Sequence, residues 1–391
     1  MPDISSPASN AGLLLTQLRV AIVHEWLDTF AGSERVLREL LILFPQAELF
    51  AVVDFLSPQD RAKLGGNNAH VSFIQRLPFA KKHFRSYLAL MPLAVEQFDL
   101  TGFDLIISSN HAVAKGVLTG PDQIHICYCH TPIRYAWDLQ HQYLQEAGIT
   151  HGLKSAIARM ILHYIRLWDN RTAAGVDRFI ANSSYIARRI KKSYGRDADI
   201  IFPPVDINAF TPIAKKDDFY FTASRMVPYK RIDIIVEAFQ KLPDRRLVVI
   251  GDGSEMEKIQ KLAGPNVDLL GYQDDKVLID HLQRTRAFIF AAEEDFGILP
   301  VEAQACGTPV IAFGRGGVKD TIIGTNDPGG TTPTGYFFDR QSPDAVADAI
   351  LAFENLAFDS HACRAQAEKF STARFHANIL NLVHQLTPGI R

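Results

Sequence analysis

The chain has 391 residues, 47% of them hydrophobic and 21% charged, with a net charge of −2 at neutral pH. That composition excludes a disordered chain and a global basic field for nucleic acid, and the length exceeds what one hydrophobic core serves, so two domains are expected. No run reaches the ~18 apolar residues of a membrane span, the opening MPDISSPASNAGLLLTQLRV lacks the parts of a signal peptide, and four cysteines fit a reducing compartment, so a cytoplasmic location is expected.

The first ten residues read as a frayed polar tail. Beyond them, short apolar runs alternate with helical patterns. RVAIVHEW, AELFAVV, FDLIISSN, HICYCHT and RFIANSS predict strands. After a break, strands resume with FYFTASR, RLVVIGD, VDLLGY, AFIFAAE, PVIAFG and GYFFD. Amphipathic stretches such as SERVLRELLILF and KRIDIIVEAFQKL lie between them. Continuous apolar strands separated by helices indicate parallel sheets covered on both faces. The break, PPVDINAFTPIAKKDD at 203–218, has three prolines and a charged run and reads as a linker.

The expected architecture is therefore α/β: two doubly wound Rossmann-like domains facing a central cleft. The first spans 1–205 and the second 206–375, with a C-terminal helix within 376–391 that could cross back onto the first. Ligands of such sheets bind at the carboxyl ends of the strands.

Those ends carry the candidate residues. In HEWLDTFAGSERV, Gly32 and Ser33 precede a helix and could hold a phosphate or an acceptor. In HICYCHTP, His125, Cys127 and Cys129 share a strand face and His130 does not; the paired Cys-x₂-Cys spacing is missing, so buried thiols are favoured over zinc. His130 and Thr131 end that strand, where a histidine can face a ligand. In SRMVPYKRID, Arg225 and Lys230 flank a strand-to-helix turn suited to phosphate, and Arg231 reads as a solvated neighbour.

VIGDGSE places Gly251 and Gly253 in another such turn, without the full G-x-G-x-x-G pattern of a dinucleotide site. AFGRGGVKD adds Gly314, Gly316 and Gly317; these glycines either admit a ligand or simply make turns. EEDFGILPVEAQACGTP follows a buried strand. With a helix starting near Leu299 and Pro300 in its first turn, Glu302 falls in that turn, where it complements the helix dipole or serves a ligand. Glu294 lies outside the reach of capping and needs a partner; sugar or ribose hydroxyls would supply it.

Taken together, EDFGILPVE with SRMVPYKRID, VIGDGSE, LLGY, ACGTPVIA and GRGG, in this order, resembles the retaining glycosyltransferases of family 4, which have the GT-B fold. VHEWLDTFAGSERV and CHTPIRYAWDLQHQY are similar to the mannosyltransferase subgroup that builds O-antigen and exopolysaccharide repeats. The resemblance implies that Glu294, with backbone N–H groups of Phe296, Gly297 and Ile298, holds donor-sugar hydroxyls, and that Glu302 holds the ribose. It implies that Arg225 and Lys230 bind the diphosphate as catalytic groups. Gly32 would lie by the distal phosphate, and His130 would contact the sugar, its carbonyl near the reacting carbon. Gly251, Gly253 and Tyr272 of the matched motifs join the donor-binding set.

It further implies a nucleotide-sugar donor, GDP-mannose above others, a polyprenyl-diphosphate-linked acceptor, and no metal or other cofactor. Retention would follow from same-face attack with the leaving phosphate as base; a double displacement on two carboxylates is the alternative. A UDP-sugar donor and a catalytically silent binding module are the rival readings. A nicotinamide oxidoreductase is disfavoured, because no G-x-G-x-x-G follows the first strand.

Two segments suggest an anionic membrane as partner, at the inner face of the cell membrane. QRLPFAKKHFRSYLALMP mixes Lys81, Lys82 and Arg85 with Phe79, Phe84 and Tyr87. HGLKSAIARMILHYIRLWDNR places Ile157, Met160, Ile161, Tyr164 and Trp168 on one helical face, with Lys154, Arg159 and Arg166 off it. A core-facing helix with a solvated basic side gives the same pattern.

Overall fold

The computed structural model describes residues 17–325 and 330–387, so the expected polar tail lies outside the described residues. The described residues form two compact units: one runs up to Phe202 and takes the chain back from His376, and the other is Pro203–Phe375. The helix Thr372–Leu386 passes from the second to the first. Within the first, His376 Nε2 lies 2.8 Å from Glu39 Oε2.

The first unit holds a seven-stranded sheet. Its strands are β1 (Val20–Leu27), β2 (Glu48–Asp54), β3 (His70–Val71), β4 (Leu105–Asn110), β5 (Ile124–Cys129), β6 (Arg178–Ala181) and β7 (Ala198–Ile200). The spatial order is β3-β2-β1-β4-β5-β6-β7, and every pair is parallel. The second unit holds a six-stranded sheet of β8 (Tyr220–Ala223), β9 (Leu247–Ile250), β10 (Val267–Leu269), β11 (Ala287–Phe290), β12 (Val310–Phe313) and β13 (Gly335–Phe338). Its order, β10-β9-β8-β11-β12-β13, is again parallel throughout.

Both units thus repeat one doubly wound plan. The strand order reverses between β1 and β4 in the first and between β8 and β11 in the second. Ligand crevices of this plan open at those reversals, beyond the carboxyl ends. The interior strands are mostly buried because helices cover both sheet faces. β3 and β7 escape that pattern: both are edge strands, two and three residues long, and neither contains a buried residue.

The amphipathic stretches fold as expected into Gly32–Leu43, burying Val36, Leu37, Leu40 and Leu41, and Ile232–Gln240, burying Ile232, Ile234, Ile235 and Val236. The helix Gly152–Thr172 departs from expectation. Trp168 turns inward beside Leu162 and Ile165, its Nε1 donating to Glu96 Oε1 at 2.7 Å. Leu153, Ile157, Met160, Tyr164 and Leu167 are the apolar residues left exposed. Apolar residues lie on both sides of this helix, and only packing decides which side is covered. Arg166 is tied down as well, donating to the Ala136 carbonyl at 2.7 Å. In the other basic segment Phe84 is buried, and Arg85 lies over its ring while pairing with Asp28 at 2.8 Å.

Under that helix lies a buried ion pair. Lys115 Nζ is 2.7 Å from Asp169 Oδ1, and neither side chain is exposed. Lys115 also donates to Thr172 Oγ1 at 2.8 Å, and Asp169 accepts from Trp137 Nε1 at 2.7 Å and Tyr194 Oη at 2.9 Å. Removing one partner strands the other charge in a dry site. Lys115→Met is expected to cost about 3 kcal/mol in denaturant unfolding; a loss below about 1 kcal/mol would show that the carboxylate is satisfied by its neutral donors.

Candidate functional site

The second unit gathers its expected residues around the β8 and β11 exits. β11 ends at Phe290, and the chain runs without regular structure through 291–294 before turning into helix Ile298–Ala305. Gln341 Nε2 holds this run by donating to the Ala291 carbonyl at 2.8 Å. Phe296 is buried against Phe370, with ring centroids 5.6 Å apart. Gly297 opens the helix with φ 87°, a left-handed conformation that glycine adopts without steric cost. Glu294 and Lys230 are brought together as an ion pair, each less than one-fifth exposed. Lys230 closes the turn Pro228–Lys230 that follows β8, and Arg231 after it is left-handed at φ 55°. Arg225, in the same loop, is exposed and takes no ion pair among the described residues.

Glu302 corrects one expectation. The helix begins at Ile298, so Glu302 is its fifth residue and lies past the first turn. Capping and dipole arguments apply to the first turn only. Yet Glu302 is only 3% exposed, and its burial needs a reason other than helix capping. Tyr272, by contrast, stands 82% exposed beyond β10.

The glycine turns prove to be close packing between loops. A Cβ on Gly251 would meet the Ser224 carbonyl oxygen at 1.8 Å, and one on Gly253 the Met226 oxygen at 2.4 Å. Met226 N–H donates to the Asp252 carbonyl at 2.8 Å, so the β9 exit braces the loop that carries Arg225. On the other side, a Cβ on Gly316 would meet the Glu294 oxygen at 2.3 Å, and one on Gly317 the Asp295 oxygen at 2.3 Å. Gly317 N–H donates to the Glu294 carbonyl at 2.8 Å. These glycines position Arg225 and Glu294 by letting backbone touch backbone.

Around His130 the first unit builds a polar cluster whose other members the sequence did not single out. β1 and β4 pair so that His24 faces Ser109. His24 Nδ1 lies 3.0 Å from Ser109 Oγ and Nε2 lies 3.1 Å from Glu34 Oε1. Glu34 belongs to the helix opened by Gly32, and its other oxygen accepts from Ala31 N–H at 2.8 Å. Ser109 Oγ is 2.9 Å from His130 Nε2, and His130 N–H donates to the Asn110 carbonyl at 2.8 Å. The Gly32 helix and His130 are thus linked through His24 and Ser109. The His130 carbonyl accepts from Asn182 Nδ2 at 3.0 Å.

Next to this chain, Glu25 is fully buried and accepts backbone N–H groups of His111, Ala112, Val113 and Ala114 at 2.7–3.1 Å. His111 Nδ1 completes an ion pair with it at 2.9 Å. Burial works against the Glu25 charge, but His111, His24 and the Ala114 N–H outweigh it and hold the carboxyl at about 2. Glu34 is held at about 2 in the same way, burial being outweighed by His24 and the Ala31 N–H. Burial lowers the His111 pKa, and Glu25 more than reverses this, so it lies above the ordinary histidine value. His130 goes the other way: burial, then the charges on His111 and His24, push it down to about 3. The one signal of this cluster in the sequence was a His-Glu pair inside an otherwise apolar strand.

His125, Cys127 and Cys129 serve the core. His125 bonds Ser108 Oγ at 2.8 Å, and the two thiols lie in an apolar cluster with Phe179 and Ile186. Burial pushes the Cys129 thiol far up.

Two family descriptions match the chain: Glycosyltransferase Family 4 over residues 30–209 and Glycosyl transferases group 1 over residues 206–370. The chain belongs to the family-4 glycosyltransferases, with the GT-B fold.

Among curated relatives, it is 28% identical over 200 residues to a GDP-mannose-dependent monoacylated alpha-(1-6)-phosphatidylinositol monomannoside mannosyltransferase of Corynebacterium glutamicum, covering 43% of this chain and 50% of that one. It is 32% identical over 200 residues to a D-inositol 3-phosphate glycosyltransferase of Mycobacteroides abscessus, covering 44% of this chain and 43% of that one. The matches span about half the length of these relatives. Among solved structures, HepE of Anabaena in complex with UDP and glucose superposes with a TM-score of 0.66 at 16% identity, covering 94% of this chain and 99% of that one. Sucrose-phosphate synthase of Thermosynechococcus elongatus gives 0.66 at 16% identity with the same coverage. Both share the GT-B fold.

Gly316→Ala is expected to cost about 2 kcal/mol of stability, because a Cβ there is driven into the Glu294 backbone. Gly102→Ala, where nothing lies within 4 Å of the added carbon, should stay within about 0.5 kcal/mol in the same denaturation experiment. Equal effects would refute the bracing role.

Proposed function

We propose that the protein transfers mannose from GDP-mannose, with retention, to a polyprenyl-diphosphate-linked oligosaccharide in surface polysaccharide synthesis. The observation that carries this is the Lys230–Glu294 pair at the strand-order reversal of the second unit. It puts a phosphate-binding cation and a hydroxyl-binding carboxylate side by side, and a nucleotide sugar offers both partners. The donor base and sugar draw support from the GDP-mannose-dependent relative.

The mechanism follows from charge. Cleaving the sugar–phosphate bond builds negative charge on the diphosphate, and Lys230 and Arg225 stabilise it there without a metal. As Lys230 turns to the phosphate, Glu294 is released to accept sugar hydroxyls and orient the ring. Glu302 takes the ribose hydroxyls. His130 contacts the donor sugar, in the role the family resemblance implies. The leaving phosphate serves as base for attack on the same face.

Two measurements test this reading. Thermal shift should rise more with GDP than with UDP; an equal or absent response counts against GDP-mannose. In a donor and lipid-linked acceptor panel read by mass spectrometry, Glu294→Ala should cut turnover by about 100-fold or more. Glu302→Ala should mainly raise the donor KM. Normal turnover in both variants would refute the assignment, and no donor consumed by the wild type would favour a silent binding module.

The acceptor side of the proposal includes the inner face of an anionic membrane. The helix Gly152–Thr172 exposes Leu153, Ile157, Met160, Tyr164 and Leu167, and Lys154 and Arg159 flank them. Its only carboxylate, Asp169, is buried with Lys115. An apolar stripe with basic flanks matches lipid headgroups of negative charge. Among the described residues no helix is long and apolar enough to cross a membrane. Flotation with anionic liposomes should carry the protein upward, and Met160→Glu with Leu167→Glu should abolish it; a wild type that stays in the aqueous fraction refutes the membrane reading.

A further inference from the structure

Glu34, His24, Ser109 and His130 form one unbroken chain of polar contacts across three strand ends. The links are 3.1 Å from Glu34 Oε1 to His24 Nε2, 3.0 Å from His24 Nδ1 to Ser109 Oγ, and 2.9 Å from Ser109 Oγ to His130 Nε2. His24 and Ser109 are completely buried and Glu34 is 4% exposed.

The direction of these bonds follows from which groups can donate. An ionised carboxylate only accepts, so His24 Nε2 carries a proton. Ser109 has a single proton and stands between two ring nitrogens, so it donates to one and accepts from the other. A buried carboxylate is also stabilised by an opposite charge in contact with it, which favours the cationic form of a ring that faces it. Ala31 N–H and Ser33 Oγ give Glu34 neutral hydrogen bonds at 2.8 and 3.0 Å; the ring that faces it is His24.

We propose that His24 is an imidazolium paired with Glu34 and that, through Ser109, it fixes His130 as a neutral ring protonated on Nδ1. His24 Nδ1–H donates to Ser109 Oγ, and the Ser109 hydroxyl donates to His130 Nε2. The remaining His130 proton sits on Nδ1, where it forms an uncharged donor. The other groups facing His130 are Tyr128 and His111, with ring centroids 5.1 and 6.4 Å away, and Glu25 behind His111. Burial first, and then charge on His111, disfavour a protonated His130. Ser109 is a positioning residue in this scheme. Where the function proposed above holds, the Nδ1–H meets an oxygen of the donor sugar or of its leaving phosphate. The tautomer itself does not depend on that reading.

The test is ring-nitrogen NMR on full-length protein with ¹⁵N-labelled histidines, 13 in all. The wild type should show His24 protonated on both nitrogens and His130 as the Nδ1–H tautomer. Ser109→Ala should abolish the His130 preference and Ser109→Thr, which keeps the hydroxyl, should retain it. His24→Gln should also abolish it, providing a second route should Ser109→Ala not fold. An Nε2–H tautomer in the wild type, or an Nδ1–H preference surviving Ser109→Ala or His24→Gln, overturns the proposal. With an active donor, Ser109→Ala should lower kcat about tenfold at nearly unchanged KM, with recovery in Ser109→Thr. A wild type that turns over no donor but shows the expected tautomers defeats the proposed function and leaves the proton arrangement standing.

Discussion

Glu25 is a carboxylate with no access to water, and the first unit is organised around satisfying it. Its position inside an interior strand of a parallel sheet leaves it no solvent partner. The exit of β4 therefore turns so that backbone N–H groups from His111 to Ala114 point at it, and His111 folds back over it. The same turn leads into Lys115, which reaches Asp169 under the long helix. One buried charge thus fixes the loop that supports the histidine cluster and starts the second buried pair. Losing the carboxylate would leave that loop with several unpaired donors, which is dearer than losing any single contact.

The second unit solves positioning differently. Glycines remove the side chains that would keep the β8, β9, β11 and β12 exits apart, and carbonyl and amide groups then meet directly. Loops packed in this way are held by backbone. Arg225, Lys230 and Glu294 can then differ in exposure and partners without disturbing the frame that carries them.

Much of this was legible in the sequence, for physical reasons. Interior parallel strands are continuous apolar runs, and eleven such runs lie where strands form. β3 and β7 were invisible because an edge strand of two or three residues needs no apolar pattern. Glu294, Lys230 and Arg225 were found by their places at strand ends. That Lys230 contacts Glu294 was not, since a tertiary ion pair between loops 64 residues apart leaves no periodic trace. The glycines were noticed, but their partners are backbone atoms of other loops and have no residue signature. His24, Glu25 and Ser109 were concealed inside strands that read as apolar. The outward face of Gly152–Thr172 was misassigned because hydrophobic periodicity does not say which of two stripes meets a core.

The Lys230–Glu294 pair has a consequence for selectivity. Each group compensates the charge of the other in a half-enclosed site. A bare anion that captured Lys230 would draw it away from Glu294, and a free sugar that captured Glu294 would draw it away from Lys230. Neither exchange is favourable alone. A molecule carrying phosphate and hydroxyls on one frame replaces both partners at once, so the pair favours an intact conjugate over its separate fragments.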